Sequence, residues 1–424
     1  MKKFCLIIAL TVVLGILPGC GGQGGENKKE AAEIRVVTPF DETDGNRANF
    51  VNAYKAFEEA TGYTVNDESA ASNEEWKAKI MADFQSGNEP DVLFYFIGTD
   101  ADELVRKDKV VSLSDIRREY PDYASNMKDS MMPVSTANGR QYAVPVNGYW
   151  EGLFVNKKVL EACGVEIPAE GYTWEQFLID CQTIKEQGYV PIACSLAEVP
   201  HYWFEFAVFN NGSISSHLTL PASSADAAGK VWAAGLLDIK ALYELGFFPE
   251  NTNAAPDRET AQLMLDNRAA FMIDGSWKVG YFQDNADTPE DFAVSYVPAK
   301  GERRATEVIG GFSMGYYITK KAWDDPQKRA ACVEFVKAMT ADDVVASFGA
   351  LSFTALKNGA PPPEGADSLA MSALEMTKNS TGVVGAAQDM LSPSARKSLF
   401  DDVSAIVTGE VSPENAIDKC LVMR

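Results

Sequence analysis

From Ile34 onward the apolar positions alternate between two periods, and the alternation predicts an α/β architecture. Ile34-Arg35-Val36-Val37 reads as a first strand. Phe50, Ala53, Tyr54 and Phe57 then fall at i, i+3, i+4 and i+7, one face of a helix that Gly62 stops. Tyr63-Thr64-Val65 returns as a strand, and Trp76, Ile80 and Phe84 mark a second amphipathic helix ended by Gly87 and Pro90. Val92 to Ile97 is a continuous apolar run, the pattern of a strand buried on both faces of a parallel sheet. Further on, Thr173-Trp174-Glu175-Gln176 has the spacing of a capping box. The Thr173 hydroxyl is placed to accept from the Gln176 amide, and the Gln176 side chain to reach back. Asp325 and Pro326 are suited to the cap and first turn of a later helix striped by Cys332, Phe335, Val336 and Met339, and Ser412-Pro413 opens a last short one.

The first twenty residues read differently. Lys2 and Lys3 precede an apolar run from Phe4 to Ile16 that is too short to span a membrane as a mature helix. The run ends in Leu17-Pro18-Gly19-Cys20, which resembles the bacterial lipobox, with Pro18 where a small residue is usual. The resemblance implies a lipid on Cys20, cleavage before it, and anchoring to the outer face of the cell membrane. Residues 21–33, opening with Gly21-Gly22-Gln23-Gly24-Gly25, then read as a flexible tether.

Charge and rare residues narrow the chemistry. Asp and Glu outnumber Lys and Arg by 60 to 38, a net −22 whose field repels nucleic acid. The cysteines after the tether, Cys163, Cys181, Cys194, Cys332 and Cys420, form no CxxC pair, so buried thiols are expected, with one bridge such as Cys181–Cys194 left open. With two histidines, His201 and His217, no zinc-like spacing and no phosphate loop, no cofactor or metal is expected. Gly311-Phe312-Ser313-Met314-Gly315 matches GxSxG, but no histidine follows residue 217 and Tyr316 to Thr319 continues as strand, which removes the hydrolase reading. Tyr316 and Tyr317, neighbours on a strand, point to opposite faces, one expected in the core and one at the surface. No catalytic set emerges, although a pair of carboxylates in so acidic a chain would not announce itself.

Several segments do converge. Phe57-Glu58-Glu59-Ala60-Thr61-Gly62-Tyr63-Thr64-Val65, Gly87-Asn88-Glu89-Pro90-Asp91-Val92, Gly139 to Pro145 with Phe154-Val155-Asn156-Lys157, Thr173 to Phe177, Asn267 to Met272 with Gly275-Ser276-Trp277, and Gly310-Gly311-Phe312 occur in this order. Together they resemble the maltose-binding-protein-like extracellular solute-binding proteins (family 1) of ATP-binding-cassette importers. Asn267 stands where a turn glycine is usual, and Asn tolerates that left-handed backbone best among the other residues. The resemblance implies a periplasmic-binding-protein-like type II fold: two α/β lobes, a hinge, and a ligand cleft between them. Chain crossings are expected near Pro145–Phe154, Ala293–Val297 and Ser347. Lobe one then comprises residues 34–145 and 295–346, and lobe two residues 146–294 and 347–424. A monomer is expected, with a sugar as ligand and the permease subunits as partners. Another solute, such as a peptide or polyamine, is the alternative, and a surface-anchored hydrolase a weaker one.

A sugar cleft needs aromatic platforms for C–H faces and carboxylates or amides for hydroxyls. Trp277 corresponds to the family's stacking tryptophan, in a loop after a helix. Tyr149 and Trp150 lie at the first crossing, where one of the two is expected to stack. Glu198, His201 and Trp203 follow the Val190–Ser195 strand. Phe40 and Asp41 follow the first strand, and Thr99 and Asp100 the Val92–Ile97 strand, all on the carboxyl edge where α/β sheets bind ligands. Phe312 follows two glycines that let backbone approach a ligand. Trp76, Trp174, Trp232 and Trp323 lie on helical patterns and are assigned to the core.

Overall fold

The computed structural model describes residues 32–349, 352–361 and 365–423. The leader, Cys20 and nearly all of the tether lie outside the described residues. The strands are β1 (Glu33–Val37), β2 (Thr64–Asp67), β3 (Val92–Phe96), β4 (Tyr149–Asn156), β5 (Val190–Ile192), β6 (Ala269–Gly275), β7 (Phe292–Ser295), β8 (Glu307–Gly311), β9 (Met314–Ile318) and β10 (Gly382–Val384). They form two sheets. The first runs β2-β1-β3-β9, with β1 parallel to β2 and β3, and β9 antiparallel to β3. The second runs β10-β8-β4-β6-β5, with β7 also against β4.

Each sheet is covered on both faces, which explains its strand sequences. Along β3, Val92 and Phe94 enter one core of lobe one, and Leu93 and Tyr95 enter the other. Tyr316 and Tyr317 divide between the same two cores, so both are buried and the expected surface tyrosine is not found. In lobe two, Tyr149, Leu153 and Val155 of β4 face one core while Trp150 and Phe154 face the other.

Helix boundaries follow the local signals. The helices Arg47–Thr61 and Glu74–Ser86 end at Gly62 and Gly87, both in the left-handed conformation, as is Asn267. Thr173 accepts from the Gln176 amide as expected, but the Gln176 side chain turns to Asp180 at 2.8 Å, so only half of the capping box forms. Asp325 and Ser412 cap their helices. Trp76, Trp174, Trp232 and Trp323 are buried. Cys181 and Cys194 are buried thiols with no bridge between them. No described helix is long and apolar enough to cross a membrane.

The chain crosses between lobes at three places, two of them later than expected. The first runs from Val144, which pairs with Tyr316 in lobe one, to Tyr149 at the start of β4. Because β7 and β8 both belong to the second sheet, the second crossing is Gly311–Met314 rather than Ala293–Val297. Leu356 still pairs with Met127 in lobe one, so the third crossing lies beyond it, not near Ser347. The Ser368–Asn379 helix then packs on β7. At the hinge Gly148 donates to the Phe353 carbonyl at 2.6 Å, and a Cβ on Gly148 would lie 2.5 Å from the Gly311 carbonyl oxygen. Three backbones meet there, and a side chain would separate them. The GxSxG match is therefore a hinge segment.

Candidate functional site

Between the lobes a crevice of about 530 Å³ is lined by Glu42 and Thr43 of lobe one and, among others, by Pro256, Arg258, Tyr281 and Asn285 of lobe two. The ends of β4 and β6 that carry Tyr149 and Gly275 lie on the lobe-two side. On lobe two, alternation along β4 places Tyr149 and Glu151 on one face. Glu151 pairs in register with Gly275 of β6. A Cβ on Gly275 would meet the Trp277 ring at 2.2 Å, so the indole lies over this glycine, on the Glu151 side of the sheet. Trp277 follows a strand and opens the helix Trp277–Asn285, rather than sitting after a helix. It is half-buried, 6.4 Å from the Tyr149 ring and 6.2 Å from that of Tyr202. Tyr149, Tyr202 and Trp277 thus form an aromatic trio on lobe two.

Acidic groups surround the trio. Glu151 is 2 % exposed, and its Oε2 has no hydrogen-bond partner. Burial, and then the neighbouring carboxylates Glu205, Asp389 and Asp274, raise its pKa well above the ordinary range. Glu205 is engaged, accepting from the Ala387 and Gln388 amides. Asp274 is held by Lys278 at 3.5 Å, which also binds Asp257 at 3.0 Å, and burial raises the Asp274 carboxyl. Facing these from lobe one is Asp44, which burial pushes up to about 7 even though it accepts from the Asn46 amide.

Among the described residues, contacts across the crevice include the following two. Gly45 and Gly280 pack backbone to backbone: a Cβ on Gly280 would lie 2.8 Å from the Gly45 Cα. At the other, Arg396 of lobe two reaches into lobe one. Its Nη2 lies 2.6 Å from Asp100 Oδ1 and its Nε 3.3 Å from Glu74, with Lys77 3.7 Å from Asp100. Beside this cluster the Thr99 hydroxyl donates to the Leu391 carbonyl at 2.8 Å.

The expected ligand residues separate accordingly. Tyr149, 8 % exposed, packs with the half-buried Trp277 and Tyr202 on lobe two, and Thr99 stands at a contact between the lobes. Trp150, Trp203 and Phe40 are corrected to the core. Trp150 takes the opposite face of β4 from Tyr149; Trp203 packs on Phe177 and Phe248; Phe40 packs on Phe50, Phe94 and Phe348. Glu198 caps a helix by accepting from the Asp257 amide, and Asp100 is buried against Arg396. Asp41 accepts from the Thr43 amide and hydroxyl and so shapes its own loop. Phe312 is half-buried at the second crossing, against the core of lobe one. His201 lies 4.1 Å from the Tyr202 ring, and burial, aided by Lys77 and Arg396, lowers it to about 3, so it is neutral at pH 7. Glu151, Tyr202, Asp44, Asp274 and Arg396 were not anticipated. Strand alternation from Tyr149 would have found Glu151. The rest required tertiary structure.

Comparison with known proteins agrees with this architecture. Residues 52–372 match the model of a family described as bacterial extracellular solute-binding protein. A comparison with curated protein sequences gives no match. Among solved structures, a chitin oligosaccharide binding protein superposes with a TM-score of 0.80 at 19% identity, covering 93% of this chain and 98% of that one. A chain from a study of xylan utilization by the thermophilic bacterium Caldanaerobius polysaccharolyticus gives 0.77 at 17% identity, covering 92% and 99%. Maltose-bound MalE3 of T. maritima gives 0.69 at 16% identity, covering 93% and 99%. At such identities the likeness establishes the fold, that of the type II periplasmic binding proteins.

Proposed function

Because the chain belongs to the bacterial extracellular solute-binding proteins, we propose that it captures a sugar or oligosaccharide between its lobes and delivers it to the permease of an ATP-binding-cassette importer. The observation that carries this reading is the trio Tyr149, Tyr202 and Trp277 beside the carboxylates of Glu151 and Asp274. Ring faces suit the C–H faces of a pyranose, and carboxylates suit its hydroxyls. The printed names of the similar structures, which include chitin oligosaccharide and maltose, support the same class. A crevice whose acids lie on both lobes also gives the ligand a way to favour the closed form.

The reading extends to the leader: Cys20 carries the lipid, the mature protein is a membrane-anchored monomer outside the cytoplasm, and no catalysis accompanies binding. A glycan panel screened by thermal shift on the mature protein tests the ligand class; peptides or polyamines stabilising it in place of every glycan would overturn it. Cys20→Ser should abolish the lipid and release the protein from the membrane fraction. Mass spectrometry finding an unlipidated mature N-terminus elsewhere in the wild type would refute the anchor.

A further inference from the structure

On lobe two, beside the aromatic trio, one buried carboxyl oxygen has no hydrogen-bond partner among the described residues. Glu151 is 2 % exposed and forms no hydrogen bond or ion pair among the described residues, and its Oε2 is wholly enclosed. Its charged surroundings are all acidic: Glu205, Asp389 and Asp274. The nearby bases are committed elsewhere, Lys278 to Asp257 and Asp274, and Arg396 to Asp100 and Glu74. Leaving a buried acid unpaired is costly, and placing it among like charges adds to the cost.

What surrounds it otherwise is aromatic. Glu151 shares its strand face with Tyr149, and the Trp277 ring covers the Gly275 position directly opposite in register. Tyr202 completes the wall, 6.2 Å from Trp277. Aromatic faces attract cations through their quadrupole, most strongly where water is excluded, and a carboxylate supplies the counter-charge. A hydroxyl could satisfy one oxygen of Glu151, but it would bring no counter-charge to it. An ammonium group answers both.

We propose that the ligand is an amino sugar with a free, protonated amine, seated among Tyr149, Tyr202 and Trp277 with its nitrogen on Glu151. This rests on the sugar-binding reading and sharpens it. The amine supplies the partner that Glu151 has not found, while the ring carrying it occupies the aromatic platform. Ion pairing with the ammonium holds Glu151 ionised in the complex, reversing the effect of its present neighbours.

The test is calorimetric titration with matched ligands: glucosamine, galactosamine and the glucosamine disaccharide, against their N-acetyl and hydroxyl counterparts, with spermidine as an amine lacking a sugar ring. Free-amine sugars should bind at least tenfold more tightly than either counterpart. Glu151→Gln should reduce that preference to about onefold, and the ligand-free variant should melt higher than wild type because a strained acid is gone, showing that it folds. Neutral or N-acetylated sugars binding as tightly as the amines would overturn the proposal while leaving the sugar-binding function standing. An amine preference that survives Glu151→Gln would also overturn it. Spermidine binding with no carbohydrate binding at all would overturn both.

Discussion

Removing Arg396 should cost this protein its closed form rather than its fold. The guanidinium and the Asp100 carboxylate are each 3 % exposed and lie 2.6 Å apart on different lobes. In Arg396→Met a side chain of similar length remains to pack, but Asp100 stays buried with only Lys77 near it, at 3.7 Å. Breaking one half of a buried pair costs about 3–5 kcal/mol when the orphaned charge cannot reach water. Here it can, because opening the hinge rehydrates Asp100, so the penalty falls on the closed state alone. If ligand binds only the closed form, apparent affinity falls with the closed population. A penalty of about 3 kcal/mol corresponds to a loss of roughly a hundredfold. Calorimetry should show that loss, and small-angle scattering should show an empty variant more extended than wild type, with little change in melting temperature. Asp100→Leu combined with Arg396→Met should recover much of the affinity, since an apolar pair can replace a buried ionic one. Wild-type affinity and dimensions in Arg396→Met alone would refute the reasoning.

Three further outcomes follow from the same geometry. Trp277→Ala removes one wall of the trio and should weaken ligand binding by about 2 kcal/mol, some thirtyfold, with circular dichroism unchanged; an unfolded variant would place Trp277 in the core instead. Gly280→Ala adds a methyl 2.8 Å from the Gly45 Cα. It should lower affinity at least tenfold by holding the lobes apart, although alanine favours the helix itself by about 1 kcal/mol; unchanged calorimetric affinity would count against the contact. The third concerns pH. Burial raises Asp44 to about 7 and holds Glu151 well above its ordinary range in the closed form, whereas exposed carboxyls titrate near 4. The closed form therefore binds these protons more tightly than the open form, is fully favoured by them only below about pH 4, and loses that support as pH rises through 7. Scattering from the empty protein should show expansion between pH 5 and 8, reduced in Asp44→Asn; a pH-independent radius would refute the assignment.

The fold was legible where one element carries its own signal. Gly62 and Gly87 stop their helices, Asn267 takes the left-handed turn, and the unbroken run in β3 meets two cores. The second crossing was misplaced because β8 looks like any strand; only its pairing with β4 and β10 puts it in lobe two. Of the proposed site, Tyr149 and Trp277 were expected from the sequence, one from a crossing and the other from a motif. Trp203 misled because nothing in the sequence separates it from Tyr202: both lie in the first turn of the helix His201–Asn211, and one residue of rotation sends Trp203 to the core. Arg396 could not be foreseen, because its partners Glu74 and Asp100 are hundreds of positions away and joined to it only by closure.

The division of the site between lobes implies an order of events. Tyr149, Tyr202 and Trp277 belong to lobe two, so a ligand can stack on them while the crevice is open. Such contacts raise affinity for both forms alike and cannot by themselves close the protein. The closing contacts come from lobe one: Gly45 against the helix Trp277–Asn285, and Asp100 and Thr99 against Arg396 and Leu391. In the empty protein their gain is opposed by the enclosure of Asp44, Glu151 and Asp274 away from water, each raised by burial. A ligand group that satisfies those acids removes the opposition without touching the closing contacts. On the proposed reading, occupancy and closure are coupled through charge: lobe two recognises the solute, and lobe one responds once the acids between them are satisfied.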